Sequence, residues 1–318
     1  MNDHRHLLTL EESKSLHKLS WRGQLGALLY LPLWFACGTV SVLAARGDFP
    51  AFWSVALGVA GWAGSGLCLA AFFLLMHEGT HGTLSRFRPL NRFLGTLTGL
   101  PIFLGFSGYR VLHLRHHDNL GGPDDPDEYE NLSRRPAILL GLQVFRLTIG
   151  SYLYLALIPI LGWKHGTRRD RWNILLDTLV HGVVYTVAFH WLPWSILFPA
   201  WIAPTLAANV LTNARGLAQH GIADPSDPYL ASRSIRPSPW VRLAYLNENY
   251  HLEHHLFPGV PHYHLHDLHR ILRPRLPRAL WIPGYVWFLK RFFFALRTGN
   301  LSPIGHVENH GAPVPGPR

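Results

Sequence analysis

Residues 51–81, AFWSVALGVAGWAGSGLCLAAFFLLMHEGTH, join a long apolar run to a pair of histidines. The run over residues 51–76 is long enough to cross the hydrocarbon core of a bilayer as one helix. His77 and His81 follow it four residues apart, a spacing that places both imidazoles on one face of a helix. The stretch therefore predicts a membrane helix that carries a metal-binding box at the membrane boundary.

Two further histidine boxes follow along the chain, His113-Leu-Arg-His116-His117 and His251-Leu-Glu-His254-His255. With 21 histidines in 318 residues, roughly one HxxxH pattern is expected by chance, and that pattern recurs at His262/His266 and His306/His310. The HxxHH pattern is rarer, with roughly 0.1 copies expected in a chain of this composition. Its two copies are therefore the strong signal for a metal site.

Imidazole ligands suit Zn, Cu, Fe and Ni, whereas Mg and Ca require oxygen ligands. One tetrahedral zinc uses three or four protein ligands, so eight histidines exceed the needs of a single ion. We expect two metal ions in one centre, and two irons bound by imidazoles are the natural pair for activating O₂. The predicted ligands from the boxes are His77, His81, His113, His116, His117, His251, His254 and His255.

The composition is that of a membrane protein with basic surfaces: 48% hydrophobic residues, 12 Trp and a pI near 9.9. We expect no nucleic-acid partner. Cys37 and Cys68 both lie in apolar runs, so neither a disulfide framework nor a CxxC metal site is predicted. Residues 1–23 lack the apolar core and cleavage site of a signal peptide, and we expect the first apolar run to be retained as an anchor.

Hydropathy predicts an all-α fold with four transmembrane helices in two hairpins, at residues 24–45 and 51–76 and at residues 174–191 and 195–211. Arg86, Arg88 and Arg92 follow box one, so the positive-inside rule places that end in the cytoplasm. The second hairpin returns box three to the same side. We therefore expect a multi-pass membrane protein whose active site faces the cytoplasm.

Two further apolar segments are predicted to lie in the membrane plane. Residues 93–106 are too short to span and are interrupted by Pro101. Residues 137–163 precede a strongly basic loop that would lie outside if the segment crossed. From His220 onward the chain is polar and basic and is predicted to form a cytoplasmic cap, with residues 281–296 on the membrane surface. We expect one domain over residues 1–297 and a disordered tail over residues 298–318.

Some alternatives remain open at this point. His77-Glu78-Gly-Thr-His81 also matches the HExxH helix of zinc proteases, with Glu78 as general base, but this leaves both HxxHH boxes unexplained. A structural zinc site or a metal transporter is a further alternative, although a transporter is expected to carry ionisable residues at mid-membrane. The acidic loop over residues 121–130 is either a solvated turn or a source of carboxylates that orient box two.

The order of these features resembles the integral-membrane fatty acid desaturase and hydroxylase superfamily. The resemblance rests on box one at the end of a hairpin, box two some thirty residues later, a second hairpin, and Asn-Tyr-His251-Leu-Glu-His254-His255-Leu-Phe-Pro-Gly-Val-Pro. It covers about residues 25–280. It implies a non-haem di-iron centre that uses O₂ and two externally supplied electrons, with His220 as the candidate ninth ligand.

The resemblance also implies a lipid or fatty acyl substrate that is desaturated, with hydroxylation or ketolation of a lipid or carotenoid as the alternative. No donor domain is visible in the sequence, so a ferredoxin-like or cytochrome b5-like partner is expected to dock on the cytoplasmic cap. Box three begins with His251 rather than the Gln of front-end desaturases, which disfavours that subclass. Asn213 is a candidate to hold a water on iron or to pack between helices. Glu78 and Glu253 are candidates to hydrogen-bond ligand imidazoles.

Overall fold

The computed structural model describes residues 4–128, 131–133, 135–236 and 238–309. Within them the chain is mostly helical, which confirms the predicted class in outline. The helices are α1 (Leu10–Leu16), α2 (Trp21–Leu28), α3 (Tyr30–Arg46), α4 (Ala51–His81), α5 (Arg88–Gly99), α6 (Phe106–Asn119), α7 (Pro136–Phe145), α8 (Ser151–His165), α9 (Arg168–Trp191), α10 (Trp194–Leu197), α11 (Pro204–His220), α12 (Pro239–Ala244), α13 (His251–Leu256), α14 (Leu265–Leu272) and α15 (Tyr285–Thr298).

Short helical segments of other geometry connect these elements. A π-helical segment, Arg146–Gly150, joins α7 to α8, and a second one, Phe198–Ile202, joins α10 to α11. Single 3₁₀ turns occupy His4–Leu7, Leu100–Ile102 and His262–His264. Residues 136–165 and 194–220 are therefore long helical stretches, each with one π-helical turn inside it.

Five helical stretches in the described residues are long and apolar enough to cross a membrane, so the chain is a multi-pass membrane protein. They are Leu10–Arg46, Ala51–His81, Pro136–His165, Arg168–Trp191 and Trp194–His220. Each of the four predicted spans lies within one of them. The fifth, Pro136–His165, contains the segment that we predicted to lie in the membrane plane, and its composition alone permits a crossing. The number of spans stays a prediction.

The hairpin of α3 and α4 is closed by residues suited to a tight turn. Gly47 has a φ of 76°, and its N–H and that of Asp48 bond back to the carbonyls of Ala44 and Leu43. This is the left-handed helix end that glycine adopts without strain. Farther along, a Cβ at Gly61 would lie 2.6 Å from Ser41 Oγ. The missing side chain therefore lets the two helices pack closely, as small residues do in membranes.

Helix α4 is the centre of the molecule. Its second half is buried almost continuously from Ser65 to Thr80, and Leu69, Phe72 and Leu75 pack into the core with residues of α3 and α11. The glycine at position 66 allows a close contact with α11, because a Cβ there would lie 2.5 Å from Ala207 Cβ. This packing fixes the position of the histidines at the end of α4.

The polar end of the molecule contains a small sheet that the predicted all-α class did not include. Strand β1 (Ser234–Ile235) pairs in parallel with β2 (Arg278–Ile282), which pairs in antiparallel with β3 (His306–Asn309). A core of leucines from α13 and α14 packs beneath it with Leu7 and Leu16 of the N-terminal segment.

The C-terminal region differs from the prediction in two places. Residues 306–309 form β3 instead of a disordered tail, because they complete the backbone ladder of β2 and Glu308 pairs with Arg273 at 3.3 Å. Trp281, predicted to lie on the membrane surface, belongs to β2 and contacts the ring of His269 at 4.8 Å. Residues 310–318 lie outside the described residues.

Candidate metal centre

Four helices bring the three boxes together. His77 and His81 occupy the last two turns of α4, box two lies on α6, and box three forms most of α13. His220 is the last residue of α11. All nine histidines that were predicted as ligands lie in one cluster, where they divide into two adjoining groups.

The first group combines all three boxes. One ring nitrogen from each member lies within 4.8 Å of the others, and the Nε2 atoms of His81 and His113 are 2.9 Å apart. The members are His77, His81, His113, His117 and His254. Residues from α4, α6 and α13 thus face a single point.

The second group lies beside the first. It contains His116, His220 and His255, again within 4.8 Å of one another. His251 belongs to it as well, because its Nε2 lies 2.8 Å from His220 Nε2 and 3.1 Å from His255 Nε2. The stacked rings of His117 and His255, with centroids 4.2 Å apart, connect the two groups.

The donor set fits two metal ions. Ring nitrogens about 3 Å apart are spaced as neighbouring ligands of one ion with metal–nitrogen bonds of about 2.1 Å. Among the described residues, neither ring nitrogen of His77 or of His254 has a hydrogen-bond partner, although both side chains are buried. Buried nitrogens without partners are costly, and a bound ion would satisfy one nitrogen of each ring.

The protonation state of the cluster also suits metal binding. Burial, aided by the neighbouring histidines, holds the pKa values of His113, His117 and His254 well below the ordinary value. Burial does the same to the pKa values of His251 and His255. These imidazoles are therefore neutral at pH 7 and offer a lone pair to a metal.

Glu248 is a buried carboxylate that sequence reasoning missed. Its Oε2 lies 3.3 Å from His251 Nδ1, and its Oε1 lies 3.6 Å from His254 Nδ1 and 3.8 Å from His77 Nδ1. Arg215 Nη1 approaches Oε2 at 3.8 Å. Glu248 thus faces the outer ring nitrogens of two boxes. The only sequence signal was its position three residues before His251.

The acidic loop after box two also contributes a carboxylate. His116 Nδ1 lies 2.8 Å from Asp125 Oδ1 and 2.9 Å from Oδ2. The N–H groups of Gly121 and Asp127 donate to the same carboxylate and hold it in place. We considered a solvated turn or a source of carboxylates that orient box two, and the structure shows the second: Asp125 orients His116. The His116 Nε2 is left to face the second group.

The predictions for Glu78 and Glu253 are wrong. Glu78 Oε2 accepts hydrogen bonds from Thr83 Oγ1 at 2.8 Å and from the His262 N–H at 3.0 Å. Glu253 bonds to Ser234 Oγ and to His269 Nδ1. Among the described residues neither carboxylate hydrogen-bonds an imidazole of the box that contains it, although a Glu78 oxygen lies within 4.8 Å of a ring nitrogen of His77. The two glutamates fasten the boxes to the cap.

A cavity of about 180 Å³ adjoins the histidine cluster. Four box histidines line it, His77, His113, His116 and His251, together with His220. Leu69, Phe73, Phe103, Leu155 and Ile158 are among its apolar walls. From His77 to Leu69 the wall follows α4 for about 12 Å. The cavity therefore suits an apolar chain that reaches the metal centre.

Polar residues of α11 that line this cavity form hydrogen bonds with the π-helical segment between α7 and α8. Asn209 Nδ2 donates to the carbonyl of Thr148 at 2.7 Å, where the π-helical segment frees backbone acceptors. Asn213 Nδ2 donates to Asn209 Oδ1 at 2.9 Å, and Arg146 Nε approaches Asn213 Oδ1 at 3.4 Å. Asn213 lines the cavity within this network; its predicted role toward iron stays a prediction.

Comparison with known proteins identifies the family. The family model for fatty acid desaturases matches residues 51–287. An sn-1 oleoyl-lipid 12-desaturase of Picosynechococcus sp. is 25% identical over 259 residues, 72% of this chain and 73% of its own length. A probable fatty acid desaturase of Sorghum bicolor is 24% identical over 82% of this chain and 73% of its own length. An sn-1 acyl-lipid omega-3 desaturase (ferredoxin) of Nostoc sp. is 22% identical over 71% and 67%. The chain belongs to the fatty acid desaturase family of oxidoreductases.

Proposed function

We propose that this protein uses O₂ to introduce a double bond into the acyl chain of a membrane lipid at a centre of two irons. One observation carries the proposal: two adjoining groups of histidines lie beside a cavity with largely apolar walls. The named relatives act on acyl chains of lipids or fatty acids, which supports the same substrate class here.

Nine histidines are the proposed ligands. His77, His81, His113, His117 and His254 would hold one iron, and His116, His220, His251 and His255 would hold the other. Glu248 and Asp125 orient His251 and His116 through their Nδ1 atoms. When bound, such irons supply the O₂ chemistry that breaks unactivated C–H bonds.

The chain itself positions the substrate and excludes water. The cavity walls hold an extended acyl chain so that one pair of adjacent methylenes lies beside the histidine groups. One O₂, two electrons and two protons, together with two substrate hydrogens, give two waters and one carbon–carbon double bond. Leu69, Phe73 and Ile158 in the cavity wall limit the access of bulk water to the reacting carbons.

We further propose four spans with the boxes on the cytoplasmic side. Boxes two and three lie in one cluster and therefore on one side of the membrane, so the chain between them crosses the membrane an even number of times. Three candidate spans lie between them: Pro136–His165, Arg168–Trp191 and Trp194–His220. We assign Pro136–His165 to the membrane plane, because Arg168, Arg169 and Arg171 would otherwise lie outside.

The two electrons are proposed to come from a separate ferredoxin-like or cytochrome b5-like carrier. Cys37 and Cys68 cannot hold an iron–sulfur cluster, and the name of the Nostoc relative includes ferredoxin. A carrier of this kind supplies one electron per encounter.

The test is mass spectrometry of total lipids and pigments from a host that expresses the chain with a suitable donor. We expect acyl species lighter by two hydrogens with the wild type and none with His116→Ala. A gain of oxygen would instead assign a hydroxylase or ketolase. Equal lipid profiles for the two proteins, with the wild type metal-loaded and the donor present, would refute the proposal.

A further inference from the structure

A second depression reaches the histidine cluster from a different side. It encloses about 690 Å³ between the ends of α4, α5, α6 and α9. Helix α6 separates it from the acyl cavity: Tyr109 and His113 line the cavity, whereas Ser107 and Arg110 line the depression. The cluster therefore has two approaches that do not share lining residues.

The lining of this depression is strongly basic. It contains five arginines and one aspartate: Arg86, Arg88, Arg92, Arg110, Arg169 and Asp170. We call it the basic cleft. Arg92 pairs with Asp177 at 3.3 Å, and Arg110 lies 4.0 Å from Asp170. Within the described part of the chain the other three arginines form no ion pair and are exposed. Such a surface attracts an acidic partner.

One residue that lines the basic cleft, His81, is a proposed metal ligand. The other eight histidines of the cluster are not among the described residues that line the cleft. The side chain of His81 is partly exposed there. Its Nε2 lies 2.9 Å from His113 Nε2, inside the first group. His81 thus connects the basic surface directly to the interior of the centre.

We propose that the basic cleft is the docking site of an acidic one-electron carrier protein, whose electrons enter the metal centre through His81. The inference rests on the proposed function and changes the expected docking site from the C-terminal cap to the face of α4, α5, α6 and α9. The acyl chain of a lipid is a poor occupant, because Leu19 and Phe106 are the large apolar residues in a lining otherwise made of polar residues and glycines. The acyl cavity, in contrast, opens beside other histidines.

Each encounter would transfer one electron from the carrier, which is oxidised, to the bound metal pair, which would be reduced by one electron. Two successive encounters supply the two electrons that the reaction consumes with one O₂ and two protons. The donor is thus the reductant, O₂ is the oxidant, and the products are two waters and the unsaturated lipid.

The experiment measures binding of an acidic plant-type [2Fe–2S] ferredoxin to the full-length protein in nanodiscs of phosphatidylcholine, with and without metal. The cleft variant is Arg86→Gln/Arg88→Gln/Arg169→Gln. The matched control, Arg236→Gln/Arg270→Gln/Arg297→Gln, removes the same charge from exposed arginines elsewhere. At low salt we expect the cleft variant to lose about tenfold in association rate and the control to change less than twofold. The difference should vanish at high salt.

A second readout separates docking from the metal centre itself. Dithionite should reduce the metal-loaded wild type and cleft variant equally, while reduced ferredoxin should reduce the wild type at least about tenfold faster. Equal ferredoxin binding and reduction by the two proteins, including none at all, would overturn the docking proposal. So would a cleft variant that loses affinity for short-chain phosphatidylglycerol but not for ferredoxin. Failure of dithionite to reduce the loaded wild type would count against the proposed function instead.

Discussion

Glu248 shows how a single buried carboxylate can organise a site built from distant segments. Its oxygens lie within 4 Å of ring nitrogens of His77, His251 and His254, and its side chain is fully buried. Its hydrogen bond with His251 Nδ1 orients that ring and raises its basicity. The backbone carbonyl of Glu248 also accepts a hydrogen bond from Gln219 Nε2, which anchors the residue to α11.

We therefore expect Glu248→Gln to lower metal affinity by about 10- to 100-fold, because the amide keeps the volume but replaces one acceptor oxygen with an NH₂ donor. The measurement is metal content after dialysis against a graded series of chelator concentrations. Glu11→Gln, on the exposed surface of α1, is the control and should match the wild type. Undiminished metal retention in Glu248→Gln would show that this carboxylate does not support the centre.

Asp125 and Asp124 are adjacent in sequence, so their variants form a closely matched pair for testing the second histidine group. Asp125 forms a hydrogen bond with His116, whereas Asp124 is exposed and pairs with Arg115 at the surface. We expect Asp125→Asn to weaken one of the two metal sites by about tenfold or more and Asp124→Asn to leave both intact. Titration of the metal-free protein with Fe²⁺ under anaerobic conditions measures both sites. Identical curves for the two variants would contradict the assigned role of Asp125.

At the scale of elements, Asp177 connects three helices near the site. This buried carboxylate on α9 accepts a hydrogen bond from the N–H of Ser107 at 2.7 Å, at the start of α6. Arg92 and Thr96 of α5 donate to its other oxygen at 3.3 Å. A carboxylate at a helix N-terminus satisfies free N–H groups and interacts well with the helix dipole. Asp177 thus positions the helix that carries box two.

We expect Asp177→Asn to cost about 1–3 kcal/mol of stability, because a buried charged acceptor is lost while Arg92 remains. Thermal unfolding in detergent measures this cost. Asp48→Asn, in the exposed turn after α3, is the control and should change the midpoint little. A midpoint for Asp177→Asn equal to that of the control would mean that α6 does not depend on this contact.

Periodicity and hydropathy predicted the helices that carry the boxes but not the contacts between elements. The run over residues 51–76 and its histidines determined α4 almost to the residue, since apolar length and ligand spacing are local signals. The strands were missed because β1 has two residues and β3 lies in a polar tail, where pairing with β2 decides the structure. Glu248 was missed because nothing in its local sequence reveals that it approaches His77, on a different helix.

At the scale of the whole molecule, the sharing of one cluster by boxes two and three constrains the membrane topology. If Pro136–His165 crossed the membrane, Lys164 would lie outside and box three could not return to box two by the two spans that follow. The chain has two cysteines, Cys37 and Cys68, so single-cysteine labelling is practical once both are replaced by alanine.

We expect Asp48→Cys and Pro193→Cys to react with an impermeant maleimide from outside intact cells. Lys164→Cys and Asn300→Cys should react only after permeabilisation, because both lie on the cytoplasmic side in the four-span topology. Labelling of Lys164→Cys from outside would contradict the in-plane assignment of α7 and α8.

The central claim is that the histidine groups hold two irons, and metal analysis of the purified chain tests it most directly. Elemental mass spectrometry after reconstitution should find two irons per wild-type chain. The variant His116→Ala, which removes a ligand of the second group, should retain at most one. One zinc per chain, or two irons retained by His116→Ala, would contradict the account.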